Sequence, residues 1–103
     1  MLKGIYTILS QDIMTFTLQM SAADHPIFKA HFPKYALLPG FALIDIVTEV
    51  LKDKPVEIKQ CKFISPILPN DIIMASIVIK EKRKNIKIFK NKIKISELNY
   101  ETM

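Results

Sequence analysis

The feature that most constrains the fold is a single stretch that can form a long helix, from about Pro39 to Lys52. Proline suits the first turn of a helix, and after Gly40 neither glycine nor proline recurs until Pro55. The polar side chains of this stretch recur at i, i+3, i+4 and i+7, which places them on one stripe: Asp45, Thr48, Glu49 and Lys52. Nearly all of the remaining helix surface is apolar. This pattern is typical of a helix that other elements wrap around.

The remainder of the chain carries the alternating polar and apolar pattern, or the β-branched runs, of strands. The predicted strands are residues 5–9, 13–20, 56–64, 72–80 and 86–95, with turns at 10–12, 66–71 and 82–85. Residues 22–38 contain Pro26 and Pro33 and are expected to be irregular. Because few residues follow Ile95, the last strand is expected to be a short stub at residues 98–101.

One long helix and one antiparallel sheet form an α+β design with two layers, in which the sheet curls around the helix. A chain of 103 residues forms at most one domain, so residues 1–103 are predicted to be a single unit. Half of the residues are hydrophobic, which supports a real but small core. Such a core buries more apolar surface when the chain pairs with a copy of itself.

Charge and cysteine content restrict the possible partners and compartment. The single cysteine, Cys61, excludes an internal disulfide, and no apolar run approaches the length of a membrane span, so we expect a cytoplasmic protein. The net charge of +5 favours acidic partners. Arg83 is the only arginine among the 15 basic residues, which argues against sequence-specific nucleic-acid binding.

Three groups around the start of the predicted helix suit acid–base chemistry. His31 lies in the irregular segment ahead of the helix, Gly40 supplies a backbone N–H at its start, and Asp45 lies in its second turn. Histidine can move a proton near neutral pH, and a helix N-terminus can stabilise an oxyanion. Together these groups suit proton abstraction next to a carbonyl. Each also has an ordinary structural explanation: a loop histidine, a turn glycine and a solvated carboxylate.

The residues around these groups resemble a known family. The pattern F-x-x-HFP-x5-PG-x4-D, read from Phe28 to Asp45, is similar to the signature of bacterial β-hydroxyacyl-[acyl-carrier-protein] dehydratases. A second block, from Phe63 to Asp71, resembles the F-x-x-P-V-x-P-G-D strand and turn of that family. The two motifs occur in the family's order, and the resemblance covers residues 14–100.

The resemblance implies a hot-dog fold, an antiparallel sheet wrapped around one central helix, and it implies roles for individual residues. His31 would remove the C2 proton of an (R)-3-hydroxyacyl thioester, Asp45 would help the hydroxyl leave as water, and the Gly40 N–H would polarise the thioester carbonyl. In this family the histidine and the carboxylate come from different subunits, so a homodimer is the minimal active unit. The acyl substrate would be contacted by Phe28, Phe32, Pro33, Pro39 and Phe41.

The resemblance also implies that no metal or organic cofactor is needed, because the thioester itself acidifies the C2 proton. The substrate would arrive on acyl carrier protein, which is acidic. The lysines of residues 80–94 therefore either attract that carrier or simply solvate a strand pair.

The sequence departs from the family pattern at several positions. Ala30 and Asn70 replace common glycines, Ala36 replaces a proline, and the carboxylate is Asp45 where many members have a glutamate. Two alternatives to a dehydratase stay open, the first because it shares the fold and the second because the last strand is expected to be incomplete. One is a hot-dog acyl thioesterase in which Asp45 or Glu49 activates water, and the other is a non-catalytic subunit that binds acyl chains or their carrier.

Overall fold

Six antiparallel strands and one long helix form the framework of the molecule. The structure is a computed structural model, and it describes residues 3–30 and 36–103. The helices are α1 (Ile27–Ala30) and α2 (Gly40–Leu51). The strands are β1 (Tyr6–Gln11), β2 (Thr15–Met20), β3 (Pro55–Phe63), β4 (Ile72–Lys80), β5 (Arg83–Lys90) and β6 (Ile93–Thr102). They form one sheet in the order β1-β2-β4-β5-β6-β3, which confirms the α+β prediction.

The core lies between α2 and one face of the sheet. Five helix residues are buried: Ala42, Leu43, Ile46, Val47 and Val50. They belong to the same buried cluster as alternate residues of the strands, among them Phe16, Ile73, Ile88 and Leu98. Burial of each large aliphatic side chain contributes about 1.5–3 kcal/mol. The stripe of Asp45, Glu49 and Lys52 is exposed, as the helical spacing predicts.

The C-terminal end of α2 is fixed to the sheet by a polar cluster. Lys52 ends the helix in the left-handed conformation, with φ 57°, and the N–H of Asp53 donates to the carbonyl of Thr48. The Asp53 carboxylate then accepts bonds from Lys84 Nζ, at 2.8 and 2.9 Å, and from the Tyr100 hydroxyl, at 2.5 Å. Burial and this hydrogen bond raise the pKa of Tyr100 well above its usual range.

The prediction of a short final strand is wrong. The segment predicted as one strand over residues 86–95 contains a two-residue turn at Asn91 and Lys92, both with positive φ. The chain therefore reverses, and β6 pairs along its length with both β5 and β3. Positive φ at both central residues is typical of a two-residue β-hairpin turn. The usual sequence for such a turn is asparagine–glycine.

The irregular segment predicted for residues 22–38 also contains the short helix α1. Pro26 precedes this helix instead of interrupting it, a position where its missing N–H is not needed. The N–H of Ile27 donates to Nδ1 of His25 at 3.1 Å, and Nε2 of His25 lies 2.9 Å from the carbonyl oxygen of Lys3. Both ring nitrogens of His25 are thus engaged in holding the backbone.

Candidate active site

The start of α2 places a backbone donor beside an aromatic ring. Pro39 precedes the helix in an extended conformation, and Gly40 is its first residue. The first N–H groups of a helix have no acceptor within it and carry partial positive charge. A Cβ atom on Gly40 would lie 2.8 Å from Cε2 and Cζ of Phe63, so the ring packs directly over the glycine. Glycine at this position therefore allows Phe63 to contact the helix start.

Two carboxylates one turn apart on α2 have different surroundings. Asp45 is exposed, and its carboxylate makes no hydrogen bond or ion pair within residues 3–30 and 36–103. Glu49 accepts a hydrogen bond of 2.5 Å from the Tyr6 hydroxyl. Partial burial and this contact with Glu49 raise the pKa of Tyr6 to about 12. Both carboxylates are exposed, and they differ in that Glu49 has a described hydrogen-bond partner and Asp45 has none among the described residues.

A cavity of about 240 Å³ lies against the start of α2. Its described lining consists of Leu38, Gly40, Leu43, residues 63–67 and Ser96. The side chains are mostly apolar, as in sites that hold acyl or other small-molecule groups. Phe63 is 51% exposed and lines this space, and its ring also packs over Gly40. The arrangement combines an apolar chamber with the donor end of a helix.

The residues predicted to contact substrate occupy different environments. Phe28 is buried in the hydrophobic core, Pro39 is buried just before the helix, and Phe41 is 44% exposed on the same stripe as Asp45. None of these three lines the cavity among the residues described. Their contact with substrate stays a prediction.

The residues predicted to be the catalytic base and two of its substrate-contacting neighbours lie outside the described residues, namely His31, Phe32 and Pro33. The first described range ends with α1, and the second begins at Ala36, four residues before Gly40.

Ser96 is a cavity residue that the sequence analysis missed. It lies on β6 opposite Phe63 of β3, and only 1% of its surface is exposed. The spacing of Ser96 and Leu98 contained a possible signal, because residues two apart on a strand lie on the same face and Leu98 is a core residue. That signal was lost because this part of the chain was not predicted to be a continuous strand.

The lysines of residues 80–94 divide between the two ends of the sheet. Lys84 binds Asp53 at the C-terminal end of α2, far along β5 from the turn at Asn91 and Lys92. That turn adjoins a second cavity of about 250 Å³, which shares Ser65 and Pro66 with the first. Basic residues near the candidate site are therefore those of the β5–β6 turn.

Two of these basic residues already form ion pairs. Lys90 binds Asp71 at 2.7 Å, and Lys94 binds Glu97 at 2.8 Å. Hydrogen bonds from Lys94 and Asn85 lower the pKa of Glu97 to about 2. These contacts order the strands around the turn, and Lys92 is exposed at its tip.

No grouping of three or more histidine, cysteine, aspartate or glutamate side chains suitable for a metal occurs in the part of the chain that the structure describes. In the same residues, no helix is both long and apolar enough to cross a membrane.

Comparison with solved structures confirms the hot-dog fold. The dehydratase heterocomplex ApeI:P from Xenorhabdus doucetiae contains a chain with TM-score 0.75 and 21% identity, and the match covers 96% of each chain. An uncharacterized protein from Erwinia carotovora subsp. atroseptica has TM-score 0.66 and 19% identity, over 95% of each chain. Thioesterase superfamily member 2 from Mus musculus has TM-score 0.63 and 12% identity, over 95% of this chain and 80% of that one.

Sequence comparison then identifies the family. A search among curated protein sequences gives no significant match. The family model described as ApeI dehydratase matches residues 8–98, which run from β1 into β6 and include Gly40, Asp45 and the segment with His31. Since this match spans most of the sequence, the chain belongs to the ApeI-like dehydratase family.

Proposed function

We propose that this chain removes water from (R)-3-hydroxyacyl chains carried on an acyl carrier protein and produces trans-2-enoyl chains, in a fatty-acid or a related lipid or polyene pathway. The observation that carries the proposal is the family match over residues 8–98, which includes the helix bearing Gly40 and Asp45. The cavity beside Gly40 supports it, because an acyl chain needs an apolar space next to the reacting carbons.

In the proposed mechanism, the thioester carbonyl accepts a hydrogen bond from the N–H of Gly40. The positive end of α2 stabilises the negative charge that develops on this oxygen when the C2–H bond breaks. His31 takes the C2 proton, and the electron pair forms the C2–C3 double bond. The bond between C3 and its hydroxyl oxygen breaks as this double bond forms. Asp45 donates a proton to the departing hydroxyl, which leaves as water. The proton held by His31 returns to Asp45 through solvent before the next turnover.

The exposure of Asp45 fits a site that is completed by a second subunit. In the proposed dimer, His31 of one copy faces Asp45 of the other. β3 is an edge strand of the sheet and presents exposed apolar side chains, including Val56, Ile58 and Phe63. An unpaired edge of this kind can be covered by another strand. We expect residues 1–103 to act as one domain within a dimer.

The proposed carrier contact lies at the β5–β6 turn, with Lys92 at its tip. This turn adjoins the second cavity, which shares Ser65 and Pro66 with the cavity beside Gly40, whereas the turn at Lys82 lies at the opposite end of the strands. A basic surface near the entrance would increase the rate at which an acidic carrier protein associates.

The two alternatives receive less support. The non-catalytic subunit was motivated by an incomplete last strand, but β6 spans Ile93–Thr102 and pairs on both sides. The thioesterase alternative is not strengthened by the mouse protein, because 12% identity shows the fold alone.

The test is mass spectrometry of the purified protein with a 3-hydroxyacyl carrier protein. We expect conversion to a product lighter by one water, and loss of this conversion in His31→Ala. His25→Asn is the matched control, because an asparagine oxygen can still accept the bond from the N–H of Ile27. Full activity in a folded His31→Ala variant would refute the proposed mechanism.

Since the relative from Xenorhabdus doucetiae belongs to a heterocomplex, the assay also compares the chain alone with the chain plus a second dehydratase-like protein. Activity of the chain alone supports the homodimer. If activity requires the second protein, the proposed homodimer is wrong, but the proposed dehydration chemistry still stands.

A further inference from the structure

Ser96 interrupts an apolar surface at the candidate site. On the face of the sheet that packs against α2, its neighbours across the strands are Phe63 on β3 and Ile88 on β5. The next residue of β6 on this face is Leu98, which is buried. Ser96 is the one buried polar residue among those that the structure describes, and it lines the cavity beside Gly40.

The hydroxyl of Ser96 has no bonding partner within the described part of the chain. No hydrogen bond from this side chain is formed there, although nearly all of the residue is buried. Among the described residues, the fully buried side-chain atom without a hydrogen-bond partner is Asn99 Oδ1, and the Ser96 hydroxyl is not in that state. Because Ser96 lines the cavity and its hydroxyl is neither fully enclosed nor bonded to the described residues, the hydroxyl opens on the cavity. A group bound in the cavity can therefore form a hydrogen bond with it.

The geometry points to Ser96 as a specificity-determining residue that binds a polar group on the acyl chain. This inference rests on the proposed function, which places the thioester carbonyl at the N–H of Gly40. Asp45, the proposed partner of the 3-hydroxyl, does not line the cavity, whereas Gly40 does. The reacting carbons then lie at the helix start, and the chain beyond C3 enters the cavity toward Ser96.

The chemistry of the site defines the class of substrate. A serine hydroxyl both donates and accepts, so it suits a chain that carries a hydroxyl or carbonyl oxygen beyond C3. A volume of about 240 Å³ holds only a short segment of the chain. A plain alkyl chain would fill the same space but leave the Ser96 hydroxyl unpaired. Sites built around such a hydrogen bond discriminate against the analogue that lacks it.

The test measures binding and turnover separately. Dissociation constants are determined for 3-hydroxyacyl pantetheine analogues in which an amide replaces the thioester. The plain chain of about six carbons is compared with chains that carry one more hydroxyl at C4, C5 or C6. We expect wild-type protein to prefer one hydroxylated chain, and Ser96→Ala to reduce that preference by about tenfold, the effect of losing one hydrogen bond.

Ser65→Ala is the matched control, because Ser65 also lines the cavity but is exposed to solvent. We expect this variant to retain the wild-type preference between the two chains. Ser96→Cys, which keeps the size but donates only weakly, should resemble Ser96→Ala in its binding preference.

The outcomes separate this inference from the proposed function. If Ser96→Ala keeps the wild-type preference for every chain, or if wild-type protein shows none, the role of Ser96 is overturned and a bound water satisfies the hydroxyl. Dehydration of the corresponding thioesters by wild-type protein would then still stand. Conversely, a preference that depends on Ser96 without any turnover would support the binding role and refute the dehydratase.

Discussion

Replacing Asp45 by asparagine should separate catalysis from stability. The Asp45 side chain is exposed and forms no hydrogen bond or ion pair within residues 3–30 and 36–103, so its replacement removes no described side-chain interaction. We expect the free energy of unfolding to change by less than about 0.5 kcal/mol. A positioned acid or base contributes roughly 10²–10⁴-fold to a rate. At about 1.36 kcal/mol per factor of ten, Asp45→Asn should raise the activation barrier by about 2.7–5.4 kcal/mol.

The assay measures kcat and KM for dehydration of a 3-hydroxyacyl carrier protein, with urea unfolding of the same samples. Glu49→Gln is the matched control, since it makes the same change in charge one turn along the same helix stripe. It weakens the bond from Tyr6, so it should lower the unfolding free energy by about 1 kcal/mol and retain dehydration activity. Retention of more than about a tenth of the activity in Asp45→Asn would refute the role of Asp45. Loss of activity in Glu49→Gln alone would assign the chemistry to Glu49.

Three further predictions concern the polar cluster and the turn. Tyr100→Phe removes a buried hydrogen bond to the Asp53 carboxylate and should lower the unfolding free energy by about 1.5–3 kcal/mol in urea titrations; an unchanged midpoint would contradict this. The pKa of Tyr100 is raised in the folded state. As the pH passes ~10, the Tyr100 hydroxyl therefore loses its proton in the unfolded chain before it does so in the folded protein. The contribution of Tyr100 is complete below that pH and is lost above it at about 1.4 kcal/mol per pH unit; Tyr100→Phe should remove this part of the slope and leave the part due to Tyr6, whose pKa is also raised. At the turn, Lys92→Gly should raise the unfolding free energy by about 0.5–1 kcal/mol because Lys92 has φ 66°, whereas glycine at Lys87 within β5 should lower it.

The helix could be predicted almost to the residue because several independent signals agree there. Pro39 and Gly40 mark its start, the polar stripe from Asp45 to Lys52 fixes its exposed side, and Pro55 limits its end. The strand at residues 72–80 was equally clear, since its β-branched side chains favour an extended chain and no turn residue interrupts them. These two elements determine the layers of the fold, and the antiparallel α+β architecture follows from them.

The end of the sheet could not be predicted because its turn uses residues with no strong local signal. Asn91 and Lys92 adopt left-handed conformations that β5–β6 pairing imposes, and Lys92 is not a residue that favours this geometry. With the turn missed, the direction of the side chains after Ile95 was also lost. The place of Ser96 in the cavity therefore appears only when the strand pairing is known.

The candidate site was predicted by resemblance more than by physical pattern, and its catalytic roles stay a prediction. The spacing of His31, Gly40 and Asp45 matches the family, and the structure places Gly40 and Asp45 on one helix with a cavity at its start. Sequence alone did not distinguish Asp45 from Glu49, because both belong to one polar stripe. The contact between Glu49 and Tyr6 joins residues 43 positions apart, and such long-range pairs carry no local signal.

The most direct test of the central claim is the reverse reaction in heavy water. Purified protein is incubated with a trans-2-enoyl carrier protein in D₂O, and the acyl group is examined by mass spectrometry. Dehydratase chemistry predicts the gain of one water, with deuterium at C2 and oxygen at C3, and loss of this product in His31→Ala. Release of free carrier thiol without hydration, or an unchanged enoyl group in the presence of folded protein, would contradict the account.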